Sequence, residues 1–405
     1  MAGIVVVGGG QAGATTIGRL RDDGYDGDLT LIGEEPVIPY ERPPLSKEYL
    51  RGETDEHQPV RPEAWYAENE VDVRLAVRAE RVDTGSRVVE LSDGSSVPYR
   101  ELVIVTGSRN RRVPIEGIEL PGVFGLRSAA DSEAIREAAE GASKAVLVGM
   151  GFIGAEVAAS LRARGIDVTV VEFGETPLIR VLGPDLGRAI EGLHRDHGVE
   201  MYFKDGAERF EGDGRFERLV TKEGRTIEGD LAVVGVGVEP VTELADASGI
   251  PADNGILVDP TLHTSVDGVW AIGDVARHEH PVFGSVRVEH FDNAIRMGEH
   301  VARSLLGERA AFDDPHWFWS DQYDANIQMS GFALSFDEVV IRGDVDGRSF
   351  AAFLLKDGQL LSTFTMDRPH DVRRSMKLIR MGAHPDPEKL ADPEVDLRQL
   401  AKELA

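Results

Sequence analysis

Residues 4–34 read IVVVGGGQAGATTIGRLRDDGYDGDLTLIGE, and residues 145–172 read AVLVGMGFIGAEVAASLRARGIDVTVVE. Each opens on an apolar run of strand length and passes through a glycine cluster. Each then continues through a helical stretch ending in Leu-Arg, meets a glycine stop, and closes on a second apolar strand ending in Glu. The pattern is one β-α-β unit written twice. The likeness extends downstream: residues 89–94 followed by 102–107 (VELSDG, LVIVTG) resemble 220–224 followed by 231–235 (VTKEG, LAVVG). Asp93-Gly94 and Glu223-Gly224 are turn dipeptides between strand-like runs, so each unit also carries an antiparallel ribbon.

After Pro240 the pattern changes. Residues 264–274 (TSVDGVWAIGD) form a strand closing on Gly273-Asp274, and a helix is expected from about 293 to 306 with Ala294, Met297, Val301 and Leu305 on one face. The last ninety residues offer three short strands, at 339–344, 350–355 and 360–364, and a helix from about 371 to 380, which reads as a small α+β domain. The Pro- and charge-rich tail from Pro385 is expected to wrap the surface. The expected division is 1–111 with 241–313 as one discontinuous dinucleotide-type domain, 112–240 as a second, and 314–405 as the C-terminal domain.

The chain has 405 residues and no cysteine, with 44 Lys and Arg against 71 Asp and Glu, a formal charge of −27. Lack of cysteine excludes disulfides, thiolate metal sites, and a Cys nucleophile or redox dithiol. The charge argues against general nucleic-acid or anionic-membrane binding. Met1-Ala2-Gly3 followed by four apolar residues is too short for a signal segment, and no run of about 18 apolar residues follows, so a cytoplasmic protein is expected.

The first cluster is Gly8-x-Gly10-x-x-Gly13, between a strand and a helix, with Glu34 placed 21 residues after Gly13. Its glycines permit a tight turn, close approach of backbone N–H groups to a pyrophosphate, and close helix–strand packing, while a carboxylate such as Glu34 can accept bonds from a ribose diol. The second cluster is Gly149-x-Gly151-x-x-Gly154, with Glu172 closing its second strand and Phe173-Gly174-Glu175 rather than Arg following. A carboxylate there accepts from a 2′-hydroxyl and repels a 2′-phosphate, which favours NADH over NADPH. Two such units imply two dinucleotides. Asp274, far downstream on a Gly-Asp strand end, suits the ribityl hydroxyls of FAD and so assigns flavin to the first unit.

With those features in view, the chain resembles the glutathione-reductase-type flavoproteins, and among them the putidaredoxin-reductase-like NADH:ferredoxin reductases of bacterial oxygenase systems. The resemblance rests on residues 39–47 (PYERPPLSK), the second glycine cluster, residues 270–274 (WAIGD), residues 288–294 (VEHFDNA) and residues 317–322 (WFWSDQ). It spans nearly the whole chain, and departs at Val105, where Ala is commoner, and at Val241, where Asn is usual. It implies an α/β fold with two Rossmann-like domains plus a C-terminal α+β domain. Where disulfide reductases of this superfamily carry a dithiol, this sequence has Arg42-Pro43-Pro44-Leu45-Ser46-Lys47, so electrons must leave to a partner or small acceptor.

The resemblance further implies roles for single residues. Lys47 would sit near the flavin ring and pair with Glu156, though an ordinary surface ion pair is the alternative. Phe152 would cover the flavin until nicotinamide displaces it, or else merely pack its helix. Trp319 would stack near the flavin edge facing the partner, or else be buried in the core. FAD would be bound by Gly8, Gly10, Gly13, Ala14, Glu34, Arg42, Lys47, Ala79, Thr106, Gly107, Arg127, Asp274, Glu289, Phe291 and Trp319. NAD would be bound by Gly149, Gly151, Phe152, Ile153, Gly154, Glu156, Glu172, Arg180, Gly235 and Gly237. No metal is expected: His194-x-x-His197 has no evident third ligand, and His278-Glu279-His280 reads as an exposed loop. No Gly-x-Ser-x-Gly elbow or Walker loop supports a hydrolase or kinase.

The implied activity is hydride transfer from NADH to FAD, followed by one-electron delivery to a small iron–sulfur ferredoxin that feeds a monooxygenase or dioxygenase. Alternatives are a rubredoxin reductase, an NADH oxidase, or a redox-controlled interaction flavoprotein resembling apoptosis-inducing factor. Two basic faces could receive the partner: Arg373, Lys377 and Arg380 on the C-terminal helix, or Arg296 and Arg303 on the helix after Asp274.

Overall fold

The computed structural model describes residues 2–405, and the chain divides into two compact units. The first comprises Met1–Glu41, Gln58–Arg109 and Glu239–Phe318, and the second Arg42–His57, Asn110–Val238 and Trp319–Ala405.

The first unit is built on a parallel sheet in the order Val71–Arg74, Leu29–Ile32, Gly3–Val7, Ser96–Ile104, Val269–Ala271. Its central strands, Gly3–Val7 and the end of Ser96–Ile104, read as apolar runs because both faces are covered, and Ile4, Val6, Leu31 and Val103 are wholly buried, whereas the edge strand Val71–Arg74 carries the exposed Asp72. The antiparallel ribbon Ala79–Asp83, Val88–Leu91 and the start of Ser96–Ile104 extends it, turning at Asp93-Gly94 as expected. Helix Gln11–Asp22 packs on helix Phe291–Leu305 through small residues: a Cβ on Gly298 would stand 2.9 Å from the Ala12 carbonyl oxygen. Ala294, Met297 and Val301 form the buried face of that second helix, which begins at Phe291, two residues ahead of the expectation.

The second unit repeats the plan. Its parallel sheet runs Glu200–Phe203, Asp167–Glu172, Lys144–Val148, Leu231–Val234, Val123–Phe124, and its ribbon is Ala207–Glu211, Arg218–Thr221, Thr226–Glu228. The sequence repeat is thus also a repeat of strand order. From Trp319 onward the same unit holds a five-stranded sheet in the order Trp317–Gln322, Ala325–Gly331, Gln359–Met366, Ser349–Lys356, Glu338–Asp344, the last four paired antiparallel, with helix Pro369–Arg380 against it. The three expected strands are present. The two further ones lack an apolar alternation because they bury polar residues, among them Ser320, Gln322, Gln328 and Ser330.

The tail departs from the expected surface wrap. It forms helices Pro387–Ala391 and Leu397–Glu403, capped by Asp386 and Asp396, and buries Leu390, Leu397, Leu400 and Ala401. Arg342, 2% exposed, fixes it by donating to the carbonyls of Lys389, Leu390 and Val395. Among the described residues no helix is long and apolar enough to cross a membrane.

Candidate active site

In the first unit, chain turning and cofactor access fall to different glycines of the same cluster. Gly8 has φ +131°, and a Cβ there would lie 2.2 Å from the Val105 carbonyl oxygen; one on Gly13 would lie 2.5 Å from the carbonyl of Gly8. Gly10 has nothing within 4 Å of its Cβ position. It is the N-cap of Gln11–Asp22, with no side-chain cap and no acidic residue in the first turn. The free N–H groups and positive dipole end suit a pyrophosphate, and the open middle glycine lets it approach. These residues fit a dinucleotide.

Around this cradle, within the same unit, Ala14 is buried and donates its N–H to the Gly10 carbonyl (3.1 Å). Asp274 Oδ2 accepts from Ser108 Oγ (2.8 Å), and Asp274 O accepts from Arg287, which pairs with Glu289 at 2.6 Å. Thr106 Oγ1 donates to the Val241 carbonyl (2.7 Å), Gly107 turns with φ +70°, and Phe291 opens the second helix. Ala79 is buried at the start of its strand. Glu34 is exposed, two residues beyond Ile32, and its half-buried neighbour Glu35 accepts from Tyr40 Oη at 2.7 Å. The Glu-Glu pair left that second carboxylate unremarked in the sequence.

The second unit carries the matching cradle. Gly149 has φ +97°, with its Cβ position 2.4 Å from the Gly235 carbonyl oxygen, that of Gly154 is 2.3 Å from the carbonyl of Gly149, and Gly151 is open. Gly151 caps helix Phe152–Ala163, again with no acid in the first turn. Glu172 grips the turn: Oε2 accepts from Met150 N and Oε1 from Gly174 N, each at 2.6 Å. Phe173 is 81% and Ile153 48% exposed. Arg180 is exposed near the start of helix Ile179–Asp196, and Gly237 is exposed with φ +96°.

Lys47 and Glu156 form a buried pair in this unit, Nζ to Oε2 at 2.7 Å, with the whole residues only 8% and 3% exposed. It is no surface ion pair. Ser46 Oγ donates to Oε2 (2.5 Å), Ser320 Oγ donates to Oε1 (2.6 Å), and Lys47 Nζ also donates to the Pro43 carbonyl (3.3 Å). Burying two charges is tolerated only with such complete hydrogen bonding. The segment bearing Lys47 is pinned by Ser132 Oγ on Leu45 O (2.6 Å) and Ser160 Oγ on Ser46 O (2.7 Å). Arg42 donates to the Arg127 carbonyl (2.7 Å), while Arg127 N and Ser128 N donate to Asp131 at the start of helix Ala129–Ala138. Phe152 is the half-buried first residue of its helix, and Trp319 is half-buried beside Ser320. Ser46 and Ser320 were inside motifs quoted from the sequence, but serines carry no signal of their own.

One histidine reading changes. His278 and His280 are buried on strand Ala276–His280 rather than in an exposed loop, because the strand lies between two others. His194 is buried and bonded to Gln322 and Tyr323, and no group of three ligating side chains suited to a metal occurs among the described residues.

Two nucleotide cradles, a buried lysine–carboxylate pair and the lack of any cysteine define a two-nucleotide reductase without a dithiol. The chain belongs to the pyridine nucleotide-disulphide oxidoreductase family, whose pattern matches residues 2–298, and residues 317–401 match the reductase C-terminal domain. It is 38% identical over 398 residues to rhodocoxin reductase of Rhodococcus erythropolis, covering 98% of this chain and 93% of that one. It is 34% identical to the benzene 1,2-dioxygenase system ferredoxin–NAD(+) reductase subunit of Pseudomonas putida, covering 98% and 97%. The fold is similar to the ferredoxin reductase for the CYP199A2 system from Rhodopseudomonas palustris (TM-score 0.95, 36% identity, 99% and 100% covered). It is equally similar to the reductase of the covalent putidaredoxin reductase–putidaredoxin complex (TM-score 0.95, 30% identity, 100% and 99% covered).

Proposed function

We propose that this chain is an FAD-dependent ferredoxin–NAD(+) reductase that passes electrons from NADH to a small iron–sulfur ferredoxin serving a monooxygenase or dioxygenase. The observation that carries the reading is the pair of matching cradles in one chain that has no cysteine to receive electrons. FAD, when bound, accepts a hydride from NADH and releases electrons singly to the one-electron iron–sulfur acceptor. Relatives that match along nearly their whole length are named as ferredoxin reductases of oxygenase systems.

In this reading the N–H groups around Gly8, Gly10 and Gly13 hold the FAD pyrophosphate, Glu34 takes the ribose and Asp274 the ribityl hydroxyls. The family resemblance also assigns Thr106, Gly107, Ala79, Arg42, Arg127, Glu289, Phe291 and Trp319 to FAD. Gly149, Gly151 and Gly154 hold the NADH pyrophosphate and Glu172 its 2′-hydroxyl, with Ile153, Arg180, Gly235 and Gly237 around them. Phe152 shields the flavin face until nicotinamide arrives. Lys47, held by Glu156, presents a fixed positive charge where negative charge develops on reduction. On this reading the protein acts in the cytoplasm, where NADH is at hand.

The test is cytochrome c reduction by NADH with and without an added two-iron ferredoxin. Fast reduction only with ferredoxin supports the reading. Equal rates without it, or transfer preferring rubredoxin or dioxygen, would replace it.

A further inference from the structure

Glu156 is the end point of a longer buried chain that no part of the proposed reaction uses. Beyond Ser320, Gln322 Nε2 donates to Ser320 Oγ at 3.1 Å, and His194 Nε2 meets Gln322 Oε1 at 3.0 Å. His194 Nδ1 in turn meets Tyr323 Oη at 3.1 Å, and the Tyr323 ring stacks on His197 with centroids 3.6 Å apart. Ser320, Gln322 and His194 are all 0% exposed. Each residue lies in the second unit.

The donors and acceptors permit one direction. Ionised Glu156 can only accept, so Ser320 donates its single hydroxyl hydrogen to it. Ser320 Oγ is then the acceptor for the Gln322 amide, which leaves Gln322 Oε1 to accept from His194. A neutral imidazole carrying hydrogen on Nε2 has an acceptor at Nδ1, and the Tyr323 hydroxyl supplies the donor. Burial agrees, pushing the His194 pKa down to about 4. Every hydrogen bond therefore points toward Glu156, and aligned bonds of this kind reinforce one another.

We propose that His194 and Gln322 are positioning residues for the reaction: through Ser320 they hold Glu156 as an oriented anion and so fix Lys47. The inference rests on the reading of Lys47 as the charge beside the flavin. A residue with a merely structural role would lower stability when replaced, without selectively changing the flavin potential or the hydride step. The sequence gives the arrangement little prominence, because His194 and Gln322 are 128 residues apart.

The first measurement uses the holoprotein as it stands. Nitrogen-15 shifts of His194 should report a neutral Nε2–H imidazole from pH 6 to 8, and an Nδ1–H tautomer or an imidazolium would overturn the chain. The second compares Gln322→Met and His194→Phe with His194→Gln, which keeps a donor near the Nε2 position. The first two should lower the flavin midpoint potential and slow flavin reduction by NADH about tenfold, with KM for NADH within about twofold, and His194→Gln should recover most of the loss. Unchanged potential and rate in both disruptive variants would overturn the proposal. If Lys47→Met also leaves the potential unchanged, the placing of Lys47 fails; the His194 spectrum still decides the hydrogen-bond chain. Should the variants lose FAD, that spectrum again decides.

Discussion

A Cβ atom on Gly154 would lie 2.3 Å from the carbonyl oxygen of Gly149, closer than two such atoms can stand. Gly151, between them, has no neighbour within 4 Å of the same position. Gly154→Ala should therefore lower the thermal midpoint, the usual cost of forced overpacking being about 1–3 kcal/mol. Gly151→Ala should leave that midpoint unchanged and weaken NADH binding by about tenfold or more, because the methyl group meets only the nucleotide. Denaturation curves and NADH titrations of the two variants check both halves. Wild-type NADH affinity in Gly151→Ala would remove the cradle assignment.

Glu172 has both oxygens on backbone N–H groups of its own turn, Met150 and Gly174, which adds to what its position suggested. Glu172→Ala should weaken discrimination against NADPH and also leave two amides in want of an acceptor, each costing about 1–3 kcal/mol if they stay dry. Hence NADH kcat/KM should fall further than NADPH kcat/KM rises. Phe173→Arg keeps the grip on the turn and adds a cation next to the ribose site, so it should admit NADPH with less damage. Ratios of kcat/KM for the two coenzymes measure this. Equal efficiency with both in the unmodified protein would contradict the role of Glu172.

Burial pushes the pKa of His278 down to about 3 and that of His290 to about 4, from an ordinary value near 6.5. Both are neutral when folded, and the unfolded chain takes up their protons more readily. Their stabilising effect is complete above about pH 6.5 and is lost as pH falls toward 4, at ~1.4 kcal/mol for each unit of pKa difference. The thermal midpoint should decline between pH 6.5 and 5. His278→Phe suits a site ringed by Phe312, His316 and His280 and should flatten that decline. An identical slope in the variant would exclude His278 as a contributor.

At −27 the reductase cannot attract an acidic ferredoxin by overall charge, so a local basic face must receive it. Arg373, Lys377 and Arg380 are exposed on one side of helix Pro369–Arg380. On the other face Arg296 pairs with Asp292 and Glu299, and Arg303 with Glu308, so acidic neighbours accompany both cations. Reversing Arg373 and Lys377 to Glu should raise KM for ferredoxin and leave NADH–ferricyanide turnover intact. Steady-state rates at low salt provide the check, and unchanged ferredoxin kinetics would eliminate this face.

The doubled strand order was legible because glycine spacing and apolar runs are local signals, and local signals survive in a string of letters. The buried state of His278 and the helices of the tail were not. Both depend on partners supplied from elsewhere: two flanking strands for the first, and the guanidinium of Arg342 for the second. Lys47 and Glu156 could be paired only through family likeness, since 109 residues separate them. Ser46, Ser320, Gln322 and His194 stayed hidden for a related reason. Polar residues in a core read as surface until each hydrogen bond is drawn.

Residues 42–57 leave the run of the first unit to fold with the second, as do residues 319–405. This sets the terms on which such reductases can be recombined. A chimera that exchanged only residues 110–238 would seat the imported Glu156 against the host's own residues at 46, 47 and 320, so the carboxylate stays satisfied only in a host that keeps that lysine and both serines. Grafts that carry all three segments together bring the charge, its counter-charge and its hydrogen bonds as one cargo. For this architecture the transplantable module is a set of three separated stretches of chain, and breeding new coenzyme preferences by swapping halves has to respect that partition.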